Sequence, residues 1–132
     1  MLTPWADTLD RAQPLPEYPR PQMVRDSYLN LNGPWSYAIT TSASKPAQAD
    51  GTILVPFSPE SELSGVGHVL QPEEYLWYIR TVTLPDGFNV GRVLLHFGAV
   101  DQIATVWCNG VELTTHTGGC LLYTSPSPRD MR

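Results

Sequence analysis

No run of lysine or arginine occurs in this chain, and acidic residues outnumber basic ones 13 to 8, for a formal net charge of −5. That balance disfavours nucleic acid and acidic membranes as partners. No apolar stretch approaches the roughly 20 residues of a membrane span. The opening MLTPWADTLD has neither a positive n-region nor an apolar core, so no secretory signal is expected and a cytoplasmic location follows. Cysteine is scarce. Cys108 lies in an apolar run with no second Cys or close-spaced His beside it, which fits a small buried hydrophobe better than a catalytic or metal-bound thiol. His68, His96 and His116 stand too far apart for zinc-ligand spacing, and no metal or cofactor is expected. Sustained 3.6-residue periodicity is also missing, which excludes a helical bundle.

What is present is β-pattern punctuated by proline and glycine. The chain is long enough for one domain, and its 42% hydrophobic content, with four Trp and six Tyr, is ample for a packed core. Residues 1–23 are rich in proline and should form an extended arm without regular structure. Trp35, Tyr37 and Ile39 alternate with Ser36, Ala38 and Thr40 as a strand with one buried face. Thr52 to Val55 reads as a short strand stopped by Pro56, Phe57 to Gly67 as irregular, and Tyr75 to Leu84 as a strand turned by Pro85-Asp-Gly87. Val93 to Val100 is nearly continuous in apolar residues and suits a strand buried on both faces. Ala104 to Cys108 follows, and Asn109-Gly110 supplies the positive-φ pair of a two-residue hairpin before Val111 to Thr114 returns.

The most specific stretch is Arg92 to Gly119, RVLLHFGAVDQIATVWCNGVELTTHTGG. It resembles the N-terminal domain of glycoside hydrolase family 2, which carries a phrase of the type Phe-x-x-Val-Asp, then Asn-Gly, then His-x-Gly-Gly-Tyr. Other phrases appear in the family's order: Arg20-Pro-Gln-x-x-Arg25 with Leu31-Asn-Gly-Pro-Trp35, Val55-Pro-Phe57 with Glu60-Ser-Glu62, and Leu76-Trp-Tyr-Ile-Arg80 with Leu84-Pro85. The resemblance covers about Leu2 to Gly119 and then stops, because Cys120 stands where the family has Tyr. Cys120 to Asp130, CLLYTSPSPRD, is similar residue for residue to the translation of a transposase adapter used in sequencing libraries. Residues 120–132 are therefore expected to be a non-native tail from a metagenomic read, and Cys120 is not expected to pair with Cys108.

The resemblance implies an all-β fold, a galactose-binding-like jelly-roll sandwich over residues 24–119, incomplete because the closing strands are missing. It implies a bacterial parent that hydrolyses β-glycosides, β-galactosides first and β-glucuronides or β-mannosides next, through two glutamates on a (β/α)₈ barrel downstream. The chain would then supply a non-catalytic sugar-binding domain, with the barrel and a middle β-sandwich domain of the same parent as partners, a carbohydrate as the substrate of the intact enzyme, and a homo-oligomeric parent compatible with this. A free-standing carbohydrate-binding module or an inactive structural domain are the alternatives.

No catalytic residue is expected here. Glu60 with Glu62, and Glu73 with Glu74, sit in loops with divergent directions and read as solvated charge. The resemblance makes His116, Gly118 and Gly119 candidates for docking or substrate proximity; the competing reading is that His116 pins its loop by a hydrogen bond. Trp35, Trp77 and Trp107 fit core packing better than an aromatic platform for a sugar ring. Arg80, charged on an apolar strand face, either pairs with a carboxylate such as Asp101 or Asp26, the favoured reading, or marks a face that contacts another domain.

Overall fold

The computed structural model describes residues 3–17, 28–88, 91 and 93–118, together with the backbone of Tyr123–Pro126. Among the described residues seven strands run in chain order: β1 Gly33–Thr40, β2 Gly51–Val55, β3 Tyr75–Ile79, β4 Leu94–Phe97, β5 Ile103–Cys108, β6 Val111–Thr117 and β7 Tyr123–Pro126. Every pairing is antiparallel, and the described helical residues are confined to short 3-10 turns, so the chain is all-β as expected and has the strand content of a β-sandwich fragment. The chain divides into two compact units, Met1–Val82 and Thr83–Arg132.

In the first unit β1 is the central strand of a β2-β1-β3 sheet. Its two ladders set Trp35 opposite Ile53 and Ala38 opposite Trp77. The sequence implied one buried face, but the sheet is covered on both. Ile53 is fully buried on the Trp35 side, while Ala38 and Leu54 are buried on the other. Asp50 continues the β1–β2 ladder past its last pair, its backbone N–H donating to Tyr37 O at 2.7 Å and its carboxylate accepting from the Ile39 N–H at 2.8 Å.

The N-terminal segment is less irregular than expected. Pro4–Thr8 forms a 3-10 turn with proline at its start, where a missing N–H costs nothing. Beyond it, Asn32 Nδ2 donates to Pro14 O at 3.1 Å and Asn30 Nδ2 to Leu15 O at 3.0 Å, and Pro14 is fully buried. This clip explains the Leu31-Asn-Gly-Pro phrase. Gly33 has φ +127°, and a Cβ there would lie 2.9 Å from the carbonyl oxygen of Ala12, so only glycine admits the segment this closely.

Arg80 finds no carboxylate among its described partners. It donates to the carbonyls of Leu31 and Asn32 and lies 5.7 Å from the centre of the Trp35 ring. The reason is register: Ser36 pairs with Ile79, so Arg80 comes beside Trp35, whose π face and neighbouring carbonyls attract a guanidinium. Asp26 lies outside the described residues. Tyr78 meets the same indole edge-on, at 6.4 Å and 84°.

In the second unit β5 and β6 form the expected hairpin, with Asn109 at φ +50° and Gly110 at φ +79°. A register shift at Val106/Trp107 leaves Leu113 as the extra residue of a bulge. Pro85 to Phe88 makes the expected turn, closed by Phe88 N–H to Pro85 O at 3.0 Å. β4 is shorter than expected, and Leu94 and His96 are exposed while Leu95 and Phe97 are half-buried, so it is one-sided. Its partner β7 comes from the tail. A strand edge offers backbone groups that any extended segment can satisfy.

Candidate functional site

His116 sits half-buried on β6, opposite Ala104. Two residues on, Gly118 adopts φ +120°, a conformation that favours glycine, and its N–H donates to Gln102 O at 2.7 Å, closing the open end of the hairpin. A Cβ on Gly118 would meet His116 Nε2 at 3.9 Å, so the two candidates are brought together. Gly119 lies outside the described residues.

The structure assembles a second polar cluster that the sequence did not announce. Between β2 and β3 the chain folds on itself. Ser61 caps a short turn at Glu62–Ser64, Gly65 ends it in the left-handed region, and His68 N–H donates to Pro59 O at 2.9 Å. The buried Ser64 hydroxyl donates to Ser61 O at 2.8 Å and accepts from Val66 N–H at 3.1 Å. On this frame His68 Nε2 reaches Glu74 Oε2 at 2.8 Å, and Gln71 N–H donates to the same oxygen at 3.0 Å. Glu60 accepts from Leu70 N–H at 3.4 Å.

These contacts fix the electrostatics. The Gln71 N–H, then the His68 ring, hold the Glu74 carboxyl below the usual carboxylate range. Glu60 is likewise lowered, chiefly by its own backbone N–H, with the Ser58 hydroxyl and the Leu70 N–H adding. Burial pushes the Tyr78 phenol up, and the Glu60 charge adds to this. A glycosidase acid must stay protonated near neutrality, which needs the opposite shift from the one these carboxyls show. Histidine spacing gives no sign of this cluster, because the partner of His68 is a carboxylate six residues on, delivered by a loop.

Other features hold less chemistry. An apolar cavity of about 190 Å³ is lined by Trp5, Leu9, Leu15, Phe57 and Leu63, with Thr3 on its wall, and no titratable side chain lines it. Trp35 and Trp77 are half-buried, their indole N–H groups donating to Leu31 O and Thr40 Oγ1, in keeping with packing. Trp107 departs from the expected core role, being 46% exposed. Cys108 is a half-buried free thiol, less enclosed than expected. Among the described residues, no group of His, Cys, Asp or Glu could hold a metal ion, and no helix is long and apolar enough to cross a membrane.

No protein-family model matches the chain. Among individual proteins it is similar to β-glucuronidase of Felis catus, 32% identical over 123 residues, covering 80% of this chain and 19% of that protein. β-Glucuronidase of Sus scrofa is 31% identical over 122 residues with the same coverage, and that of Paenibacillus borealis is 38% identical over 48 residues, 36% of this chain and 8% of that one. The chain thus spans about a fifth of the length of the relatives it matches most fully. An all-β chain with partial similarity to β-glucuronidases over four fifths of its length carries a domain related to glycoside hydrolase family 2.

Proposed function

We propose that the chain is the non-catalytic sugar-binding domain of a bacterial, cytoplasmic family 2 glycoside hydrolase, bracing a barrel that carries both catalytic glutamates elsewhere in the parent. The observation that carries this reading is the 80% coverage of the chain by β-glucuronidases of which it spans only 19%. The relatives' names move β-glucuronides ahead of the β-galactosides that the phrases alone put first. Within the parent the barrel and a middle β-sandwich domain are the partners, and His116 at the end of β6, with Gly118 beside it, is the part of this domain that docks toward them; Gly119 of the same phrase lies outside the described residues.

The carboxyl chemistry supports a non-catalytic role. Retaining hydrolysis needs one carboxylate as nucleophile and one carboxyl held protonated, roughly 5 Å apart. Glu60 and Glu74 are both lowered and both held by backbone N–H groups. The purified chain should therefore leave the nitrophenyl β-glucuronide, β-galactoside and β-mannoside intact. Turnover that survives removal of host glycosidases and falls on Glu74→Gln or Glu60→Gln would overturn the reading.

A further inference from the structure

One face of the β5–β6 hairpin has a composition unsuited to a core. Alternation puts Ile103, Thr105 and Trp107 on one side of β5, and the register sets Thr117, Thr115 and Glu112 opposite them. Ile103 is 71% exposed and Trp107 46%, while Glu112, Thr115 and Thr117 are exposed as well. The Thr105 and Thr115 hydroxyl oxygens lie 3.1 Å apart, and the Thr115 hydroxyl donates to Glu112 Oε1 at 3.3 Å. Trp107 and Thr105 are ~6.6 Å apart along the strand, and Trp107 and Glu112 are direct cross-strand neighbours with Cβ atoms about 5 Å apart. An exposed indole therefore lies beside a line of three oxygens, within the span of a hexose ring.

We infer that this face binds a neutral pyranose. The indole takes the C–H face of the ring, and the two threonine hydroxyls and the Glu112 carboxylate take its hydroxyl groups. The charge pattern selects a neutral sugar. No Lys or Arg occurs between Asp101 and Gly118, so a uronate would meet Glu112 with no compensating cation from the hairpin itself. A second copy of the chain or another apolar surface fits less well, because covering this face with apolar groups would desolvate the Glu112 carboxylate, which the Thr115 hydroxyl alone cannot satisfy, whereas a polyol supplies further donors. His116 pairs with Ala104 and so lies on the opposite side of the ribbon, leaving the loop residues outside this face.

The test is titration of the full chain, ¹⁵N-labelled, with methyl β-D-glucopyranoside, methyl β-D-galactopyranoside and methyl β-D-glucuronide, following the backbone amide resonances of the β5–β6 hairpin, which every variant keeps. The expected result is a saturable shift with at least one neutral glycoside at millimolar strength and none with the uronide. Trp107→Ala should weaken it at least about tenfold, while Trp107→Phe retains part of it. Thr105→Val keeps the indole and should weaken binding severalfold, and Glu112→Gln should narrow the gap between neutral and charged glycosides. The inference is overturned by the absence of a saturable shift with either neutral glycoside, by uronide binding as tight as neutral binding, or by self-association that Trp107→Ala abolishes. Because the readout is binding and not turnover, it is independent of whether the parent is an active hydrolase.

Discussion

The carbonyl oxygen of Ala12 lies 2.9 Å from where a side chain on Gly33 would begin, so the N-terminal segment rests on a backbone that has no Cβ to hold it off. Gly33 also has φ +127°. Gly33→Ala should cost about 1–3 kcal/mol, the usual range for backbone strain of this kind. Urea denaturation of the two chains measures it, and equal midpoints would mean that the segment does not seat there.

Arg80 joins β3 to the entry of β1 through two carbonyls and the Trp35 ring. Lysine keeps the charge but lacks the flat guanidinium fork, so Arg80→Lys should lose about 1 kcal/mol. Fluorescence of the indole would change with it. A lysine variant as stable as the parent would show that charge alone suffices.

Glu74 ties its loop together through Gln71 and His68. Its folded pKa lies below its ordinary value of 4.5, so its contribution to stability is full above 4.5 and is lost as pH falls through the lower folded value. Glu74→Gln removes that contribution. The stability gap between parent and variant, measured by urea titration at several pH values, should narrow as pH falls below 4.5; a gap that widens there contradicts the assigned contacts.

If residues 120–132 are adapter-derived, they were never selected to pack on this chain. Deleting them should leave the thermal midpoint unchanged or higher, although β7 is lost from its ladder with β4. A loss of about 1 kcal/mol or more would show that this ladder is a working part of the fold.

Features that depend on local backbone preference were legible in the sequence. Asn109-Gly110 announced its hairpin because few other pairs accept positive φ at both positions, and Pro56 announced the end of β2. Features set by long-range register were not. Arg80 reaches Leu31 and Asn32 because β3 lies against β1 in one particular alignment, and His68 reaches Glu74 only after Ser61, Ser64 and Pro59 have folded the intervening loop. The exposure of Trp107 was hidden for a related reason. Ala104 to Cys108 is apolar on both sides except for Thr105, so alternation cannot say which side meets solvent.

The most direct test of the central claim is to replace the matching N-terminal segment of a β-glucuronidase relative with residues 3–118 of this chain and assay β-glucuronide hydrolysis. If the chain is the equivalent domain, the hybrid should fold and keep kcat/KM within about tenfold of the relative, since the barrel still carries the chemistry. A hybrid that is no more active or stable than the relative stripped of that segment would contradict the account.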